Sequence, residues 1–226
     1  MLLDELKSKF ISKGLTPVDE LVDYVEECDR YINDEISLAD LQIAMLLYLD
    51  KLALRNQALS LMINRSREPQ IGDHFTEALN LAFQSITKNS LFKGLDFNVS
   101  SEHNFYLYDN RYLKPDVAGF IGAKPIFMLE CKSNLGYDRQ NWMDNYIKRQ
   151  SALAKSGLNP NLYFLCVLTD SNWNGFSTLD PRTNKQWHTF TKKGSWYGGK
   201  NRTKRLTDGS NCNALENIVE TLITYL

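Results

Sequence analysis

The stretch KPDVAGFIGAKPIFMLECKSN, residues 114–134, decides the reading of this chain. Two apolar runs, VAGFI and PIFMLEC, flank Gly122-Ala123-Lys124, the pattern of two strands joined by a short turn. Pro115-Asp116 precedes the first run, and the second ends in Glu130-Cys131-Lys132. Charges in so apolar a setting are costly to bury unless they are paired or hold a metal. With the turn centred on Ala123, Asp116 falls directly opposite Glu130. Opposed residues share a face, with Cβ atoms about 4.5–5.5 Å apart. Lys132, two residues beyond Glu130, points the same way, and Cys131 points to the other face. One face therefore carries two carboxylates and one ammonium.

Two bare carboxylates at that spacing repel, and one is forced to keep a proton unless a cation lies between them. Mg2+ prefers carboxylate, water and phosphate oxygens, and Mn2+ is its usual substitute in experiments. The backbone carbonyl of Cys131, pointing sideways from the strand, is a further candidate ligand. A lysine beside such a site orients water and offsets charge in a phosphoryl transition state. Asp116, Glu130 and Lys132 thus suit metal-assisted phosphodiester hydrolysis.

Pro115-Asp116 followed by Glu130-Cys131-Lys132 resembles the motif of the PD-(D/E)XK nuclease superfamily. The resemblance spans roughly residues 70–170 and implies a restriction-endonuclease-like α/β core, with a mixed central β-sheet flanked by helices. It also implies that an acid on the helix before the strands joins the metal site. Glu77 stands in that place, with Asp73 as second choice. Members that partner helicases carry QxxxY on the helix after ExK. Here Gln140 is followed by Asp144, which favours enzymes similar to type II restriction endonucleases over recombination exonucleases. His74, on the helix of Glu77, gives an alternative similar to metal-dependent cap-cleaving RNA endonucleases. A catalytically idle nucleic-acid-binding protein on the same fold is the alternative outside the enzymes.

Working outward, residues 1–64 read as a helical subdomain and residues 65–226 as the nuclease core. Apolar residues at helical spacing mark helices over 2–14 and from Pro17 to about Tyr31. Ser37 with Asp40 has the spacing of a capping box for a long helix to Ile63. Leu41, Tyr48 and Leu52 lie along that helix and form a candidate seam between two copies. The polar stretch 64–72 reads as a hinge, and Gly72-Asp73 opens a helix to Lys88. Strands are expected at 104–108, 112–121 and 125–133, then a helix over 138–156 and a buried strand over 162–170. Residues 171–211 read as loops and short strands, and residues 213–226 as a closing helix.

Net charge is −1, but it is unevenly spread. Residues 1–64 hold 12 acidic against 6 basic residues, whereas 182–205 hold 8 basic residues and no acid. That basic loop suits a polyanion, so Lys192, Lys193, Lys200, Arg202, Lys204 and Arg205 are candidate phosphate contacts. Arg139 and Gln140 open a helix beside the site, and Asn172 and Asn174 follow the buried strand. All four are candidate nucleic-acid contacts. Double-stranded DNA is the expected partner, and cutting both strands with one site per chain calls for a homodimer. The four cysteines form no CxxC pair, which argues against structural zinc. No apolar run is long enough to span a membrane, and the acidic start MLLDELKSKF lacks the basic opening of a signal peptide, so a cytoplasmic location is expected.

Overall fold

The computed structural model describes residues 2–12, 19–62, 71–135, 139–170, 186–192, 205–211 and 213–226. Four helices come first: α1 (Leu2–Ser12), α2 (Asp19–Ile32), α3 (Leu38–Met62) and α4 (Ile71–Lys88). Ser37 and Asp40 cap α3 reciprocally. The Asp40 N–H donates to Ser37 Oγ at 3.1 Å, and the Ser37 N–H donates to the Asp40 carboxylate at 3.0 Å. Strands β1 (Phe97–Ser101), β2 (Phe105–Tyr106), β3 (Tyr112–Leu113), β4 (Val117–Ile121) and β5 (Lys124–Lys132) follow. Then come α5 (Arg139–Lys155), β6 (Tyr163–Thr169), β7 (Trp187–Thr191) and α6 (Asn213–Ile223).

The architecture is α/β. Five strands in the order β1-β4-β5-β6-β7 form a mixed sheet flanked by helices. β1, β4 and β5 pair antiparallel, while β5, β6 and β7 pair parallel. The first strand of the antiparallel part is Phe97–Ser101, not residues 104–108 as the alternation there predicts. FNVSS is a half-exposed edge strand, so it carries little apolar signal. Residues 104–108 instead contribute β2 to a separate two-stranded hairpin with β3. Pro115, which has no N–H to donate, separates β3 from β4.

The β4–β5 register has two halves. Val117 faces Leu129, Ala118 faces Met128 and Gly119 faces Phe127, but Phe120 then faces Pro125 and Ile121 faces Lys124. The one extra residue, Ile126, makes a bulge opposite the Gly119/Phe120 step. Beyond it the chain reverses through Gly122 and Ala123, with Gly122 at φ +55°. Gly119 is required by close approach, because a Cβ there would run into the Phe127 ring. Carried on by one step, the first half of the register sets Asp116 beside Glu130.

The pleat sends alternate residues to two cores. Val117, Phe127, Leu129 and Cys131 join a cluster with α2, α3, α4 and α6. Ala118, Phe120 and Met128 join another with α5 and the β2–β3 hairpin. The helices expected as a separate subdomain therefore share a core with the sheet. The boundary expected at 64/65 lies outside the described residues. Leu41, Tyr48 and Leu52, expected as a seam between copies, are 0 %, 4 % and 8 % exposed within their own chain, so they are not available for that contact. Two buried polar groups of α3 reach the C-terminal region. Gln42 accepts from the Leu215 N–H and donates to the Asn211 carbonyl, and Asp50 accepts from the Leu206 and Thr207 N–H groups. Among the described residues no helix is long and apolar enough to cross a membrane.

Candidate active site

Asp116, Glu130 and Lys132 meet where the central strand β5 ends, on the side of the sheet covered by α5. Asp116 Oδ2 accepts the Cys131 N–H at 2.6 Å, which ties the acid to the neighbouring strand. Burial pushes the Asp116 carboxyl above its ordinary value. The Cys131 N–H and Lys132 pull it back, and Glu130 pushes it further up. Glu130 is 5 % exposed and is held through both oxygens. Lys132 Nζ lies 2.8 Å from Oε1 and Arg149 Nη1 lies 2.7 Å from Oε2, to which the Tyr163 hydroxyl also donates at 3.1 Å. Two carboxylates are thus matched by two cations, which is how the fold accommodates charge in this apolar setting.

The Lys132 ammonium has a particular seat. It lies 2.8 Å from Glu130 Oε1, donates to the Cys131 carbonyl at 2.9 Å and stands 3.6 Å from Asp116 Oδ2. Asp116, Glu130 and the Cys131 carbonyl are three of the four metal ligands that the sequence nominates, Glu77 being the fourth, and their oxygens converge here on one cation. The donor set is all oxygen, which suits Mg2+. A carboxylate offers about four lone-pair positions, so Oε1 keeps capacity beside its present partner. The chemistry of these oxygens fits magnesium, and in this structure the Lys132 ammonium occupies the position between them.

Five further residues build this corner and were not singled out in the sequence. Arg149 bridges Glu130 and the Tyr163 hydroxyl, which accepts from Nη1 at 3.0 Å. Burial pulls the guanidinium pKa down, but Tyr163 and Glu130 outweigh it and raise the value. Trp142 places its ring under both cations, 4.7 Å from Lys132 Nζ and 5.6 Å from Arg149 Cζ. Tyr146 stacks on Tyr163, and Gln150 donates to the Tyr146 hydroxyl. Positions 142, 146, 149 and 150 follow the i, i+4, i+7, i+8 spacing of one helix face. That spacing, with a lone tyrosine at the head of the apolar run YFLCVLT, was the available signal.

Glu77 is placed elsewhere. Its side chain is 54 % exposed, with Oε2 3.9 Å from His74 Nδ1, and its charge helps raise the Tyr48 phenol on α3. The helix α4 lies on the opposite face of the sheet, where Thr76 bonds the Cys131 thiol. Glu77 points aside from there. Among the described residues no three His, Cys, Asp or Glu side chains gather as a metal-binding group. Asp73 is exposed in the first turn of α4, close to Gly72, which neighbours Ser133 just past the end of β5.

Of the candidate nucleic-acid contacts, Arg139 and Gln140 lie in the first turn of α5. Lys192 follows β7 and Arg205 precedes a short 3-10 turn, and both are exposed. Lys193, Lys200, Arg202, Lys204, Asn172 and Asn174 lie outside the described residues. Comparisons with protein-family models, with curated proteins and with solved structures each return no match.

Proposed function

We propose that this chain is a Mg2+-dependent endonuclease on a restriction-endonuclease-like core, hydrolysing phosphodiester bonds in double-stranded DNA. The observation that carries the reading is the convergence of Asp116 Oδ2, Glu130 Oε1 and the Cys131 carbonyl on a single cationic centre. Asp116, Glu130 and the Cys131 carbonyl would hold a magnesium ion, whose Lewis acidity would assist phosphodiester hydrolysis. The protein's own groups do the rest. The Cys131 N–H fixes Asp116, and Arg149 with Tyr163 fixes Glu130, so both carboxylates are oriented before any ligand arrives. Lys132 is the cation that would offset the charge that grows as water adds to phosphorus. Two copies, one per strand, give a double-strand cut. The segment 182–205 is not one loop, since 187–191 form the buried strand β7, so its basic residues outside that strand, Lys192 and Arg205 among them, supply sequence-independent grip on phosphates.

The test is incubation with unmethylated phage DNA and Mg2+, then with Mn2+, with RNA as a parallel substrate, read on gels. Metal-dependent DNA cleavage that vanishes in Asp116→Ala and Lys132→Ala is the expected result. Cleavage of RNA alone moves the reading to an RNA endonuclease, and cleavage that persists in both variants removes these residues from the mechanism. A second reading, a nucleic-acid-binding protein that does not cleave, has one observation in its favour. Lys132 and Arg149 together already engage both Glu130 oxygens. Tight DNA binding with no cleavage under either metal selects it.

A further inference from the structure

The β2–β3 hairpin carries a feature that the catalytic corner does not use. Its two residue pairs point in opposite directions, as the pleat requires. Phe105 and Leu113 pair and face inward, 6 % and 5 % exposed, and Phe105 stacks on Phe120 of the sheet. Tyr106 and Tyr112, the adjacent pair, face outward at 78 % and 63 % exposure. Tyr108, at the tip, is 55 % exposed. Three large rings thus stand in solvent on a hairpin whose underside is locked into the core. The Tyr108 N–H donates to Ser156 Oγ at 2.9 Å, which ties the tip to the end of α5 as well.

Cations lie on and beside the hairpin. Lys155 Nζ lies 5.5 Å above the Tyr108 ring. Arg111, with its side chain 73 % exposed, pairs with Asp109, and Lys114, 42 % exposed, pairs with Glu102. Exposed pairs of this kind contribute little and exchange readily for another anion. The hairpin also runs straight into the candidate site, with Tyr112 four residues before Asp116. At about 3.3–3.6 Å per residue the two Cα atoms are at most about 14 Å apart. That is about four stacked nucleotides at 3.4 Å each.

We propose that the β2–β3 hairpin is a stacking platform for unpaired nucleobases, with Tyr106 and Tyr112 as its contact rings and Arg111, Lys114 and Lys155 as its phosphate contacts. The inference rests on the phosphodiesterase reading and narrows its substrate. Within about four nucleotides of the scissile phosphate, the bases are single-stranded or displaced from the duplex. The logic is that of exposed π faces. Bases inside a duplex are stacked on each other and offer no face to a tyrosine, whereas unpaired bases do. Rigid aromatic rings on an anchored hairpin lose little freedom on binding.

The experiment uses the full chain in EDTA at low salt, with a fluorescein-labelled oligothymidylate and a duplex of equal length, read by fluorescence anisotropy. Wild-type protein is expected to bind the single strand, and the double variant Tyr106→Thr/Tyr112→Thr to bind it at least about fivefold more weakly, the lower end for one stacked base. Threonine keeps the strand preference of the hairpin while removing the ring. Tyr106→Phe/Tyr112→Phe is expected to bind like wild type. A 5-iodouracil oligonucleotide is expected to photo-crosslink within residues 105–113, a readout that does not depend on any variant folding. A threonine variant that folds and binds the single strand as wild type does, with crosslinks elsewhere, overturns the platform and leaves the phosphodiesterase reading standing. A protein that binds neither oligonucleotide and cuts no nucleic acid overturns both. A threonine variant that falls from dimer to monomer in sedimentation, with single-strand affinity unchanged, assigns the tyrosines to contact between copies and also overturns the proposal.

Discussion

Replacing Arg149 with methionine is the perturbation most directly tied to the geometry of the candidate site. The long apolar side chain keeps the packing of the arginine stem but removes the guanidinium from Glu130 Oε2, 2.7 Å away. A hydrogen bond to a charged group contributes about 1.5–3 kcal/mol, and breaking a fully buried ion pair costs about 3–5 kcal/mol. The lower range applies here. The arginine side chain is 36 % exposed, and Glu130 keeps Lys132 and Tyr163 as partners. The expected loss is about 2 kcal/mol, and for a chain of this size about 2–4 °C per kcal/mol, so Tm should fall by about 4–8 °C. Differential scanning calorimetry without metal reads this directly. A double-mutant cycle with Glu130→Gln should then return a coupling of about 1.5–3 kcal/mol. An Arg149→Met protein within a degree of wild type, or a coupling below about 0.5 kcal/mol, would refute the claim that Arg149 holds Glu130.

Lys132→Met removes the cation that now occupies the seat between three oxygens. It should bind Mn2+ more tightly than wild type by calorimetry while failing to cleave, and weaker binding would show that the ammonium does not compete for that seat. Gly119→Ala puts a methyl group into the Phe127 ring at the bulge. A loss of about 1–3 kcal/mol in urea unfolding is expected, and an unchanged midpoint would mean that the ring moves freely. Alkali should destabilise the fold. Burial pushes the Cys28 thiol up from 9.0 to about 12 and the Tyr31 phenol from 10.0 to about 12. The unfolded chain releases these protons first, so stability is fully present below pH 9 and falls as pH rises from about 9 to about 12. A Tm that stays flat between pH 9 and 11 contradicts this.

The grouping of Asp116, Glu130 and Lys132 was readable because it depends on strand alternation and register, both local properties of residues 114–134. The expected opposition of Asp116 and Glu130 rested on a turn centred at Ala123, and the antiparallel step nearest the site follows that count. The turn itself is one register off, and the bulge residue Ile126 absorbs the difference. Nothing in PIFMLECK marks Ile126 as the extra residue. Arg149 escaped notice because its role exists only once α5 crosses over β6 and meets Tyr163. The direction in which Glu77 points depends on how α4 rolls against α3, which spacing along one helix does not fix. β1 was missed because an edge strand such as FNVSS buries little. The faces of α3 were misjudged for the opposite reason. It packs against α2, α4 and α6, so its periodicity is weak, and Leu41, Tyr48 and Leu52 serve the chain's own core.

The attachment of the basic segment has a consequence for how this protein can diversify. The chain leaves β7 at Lys192, whose N–H bonds the Gly209 carbonyl, while Thr191 bridges Ser210. It re-enters at Arg205 and Leu206, where the Asp50 carboxylate from α3 takes the Leu206 N–H. Both ends are therefore fastened to the same framework. Closing a longer loop between fixed ends is cheap, about 0.6 kcal/mol for each doubling of length. The bonds that hold Lys192 and Leu206 do not depend on the length or charge of the sequence between them. Changes of length or charge there leave the bonds that fasten β7 and α3 as they are.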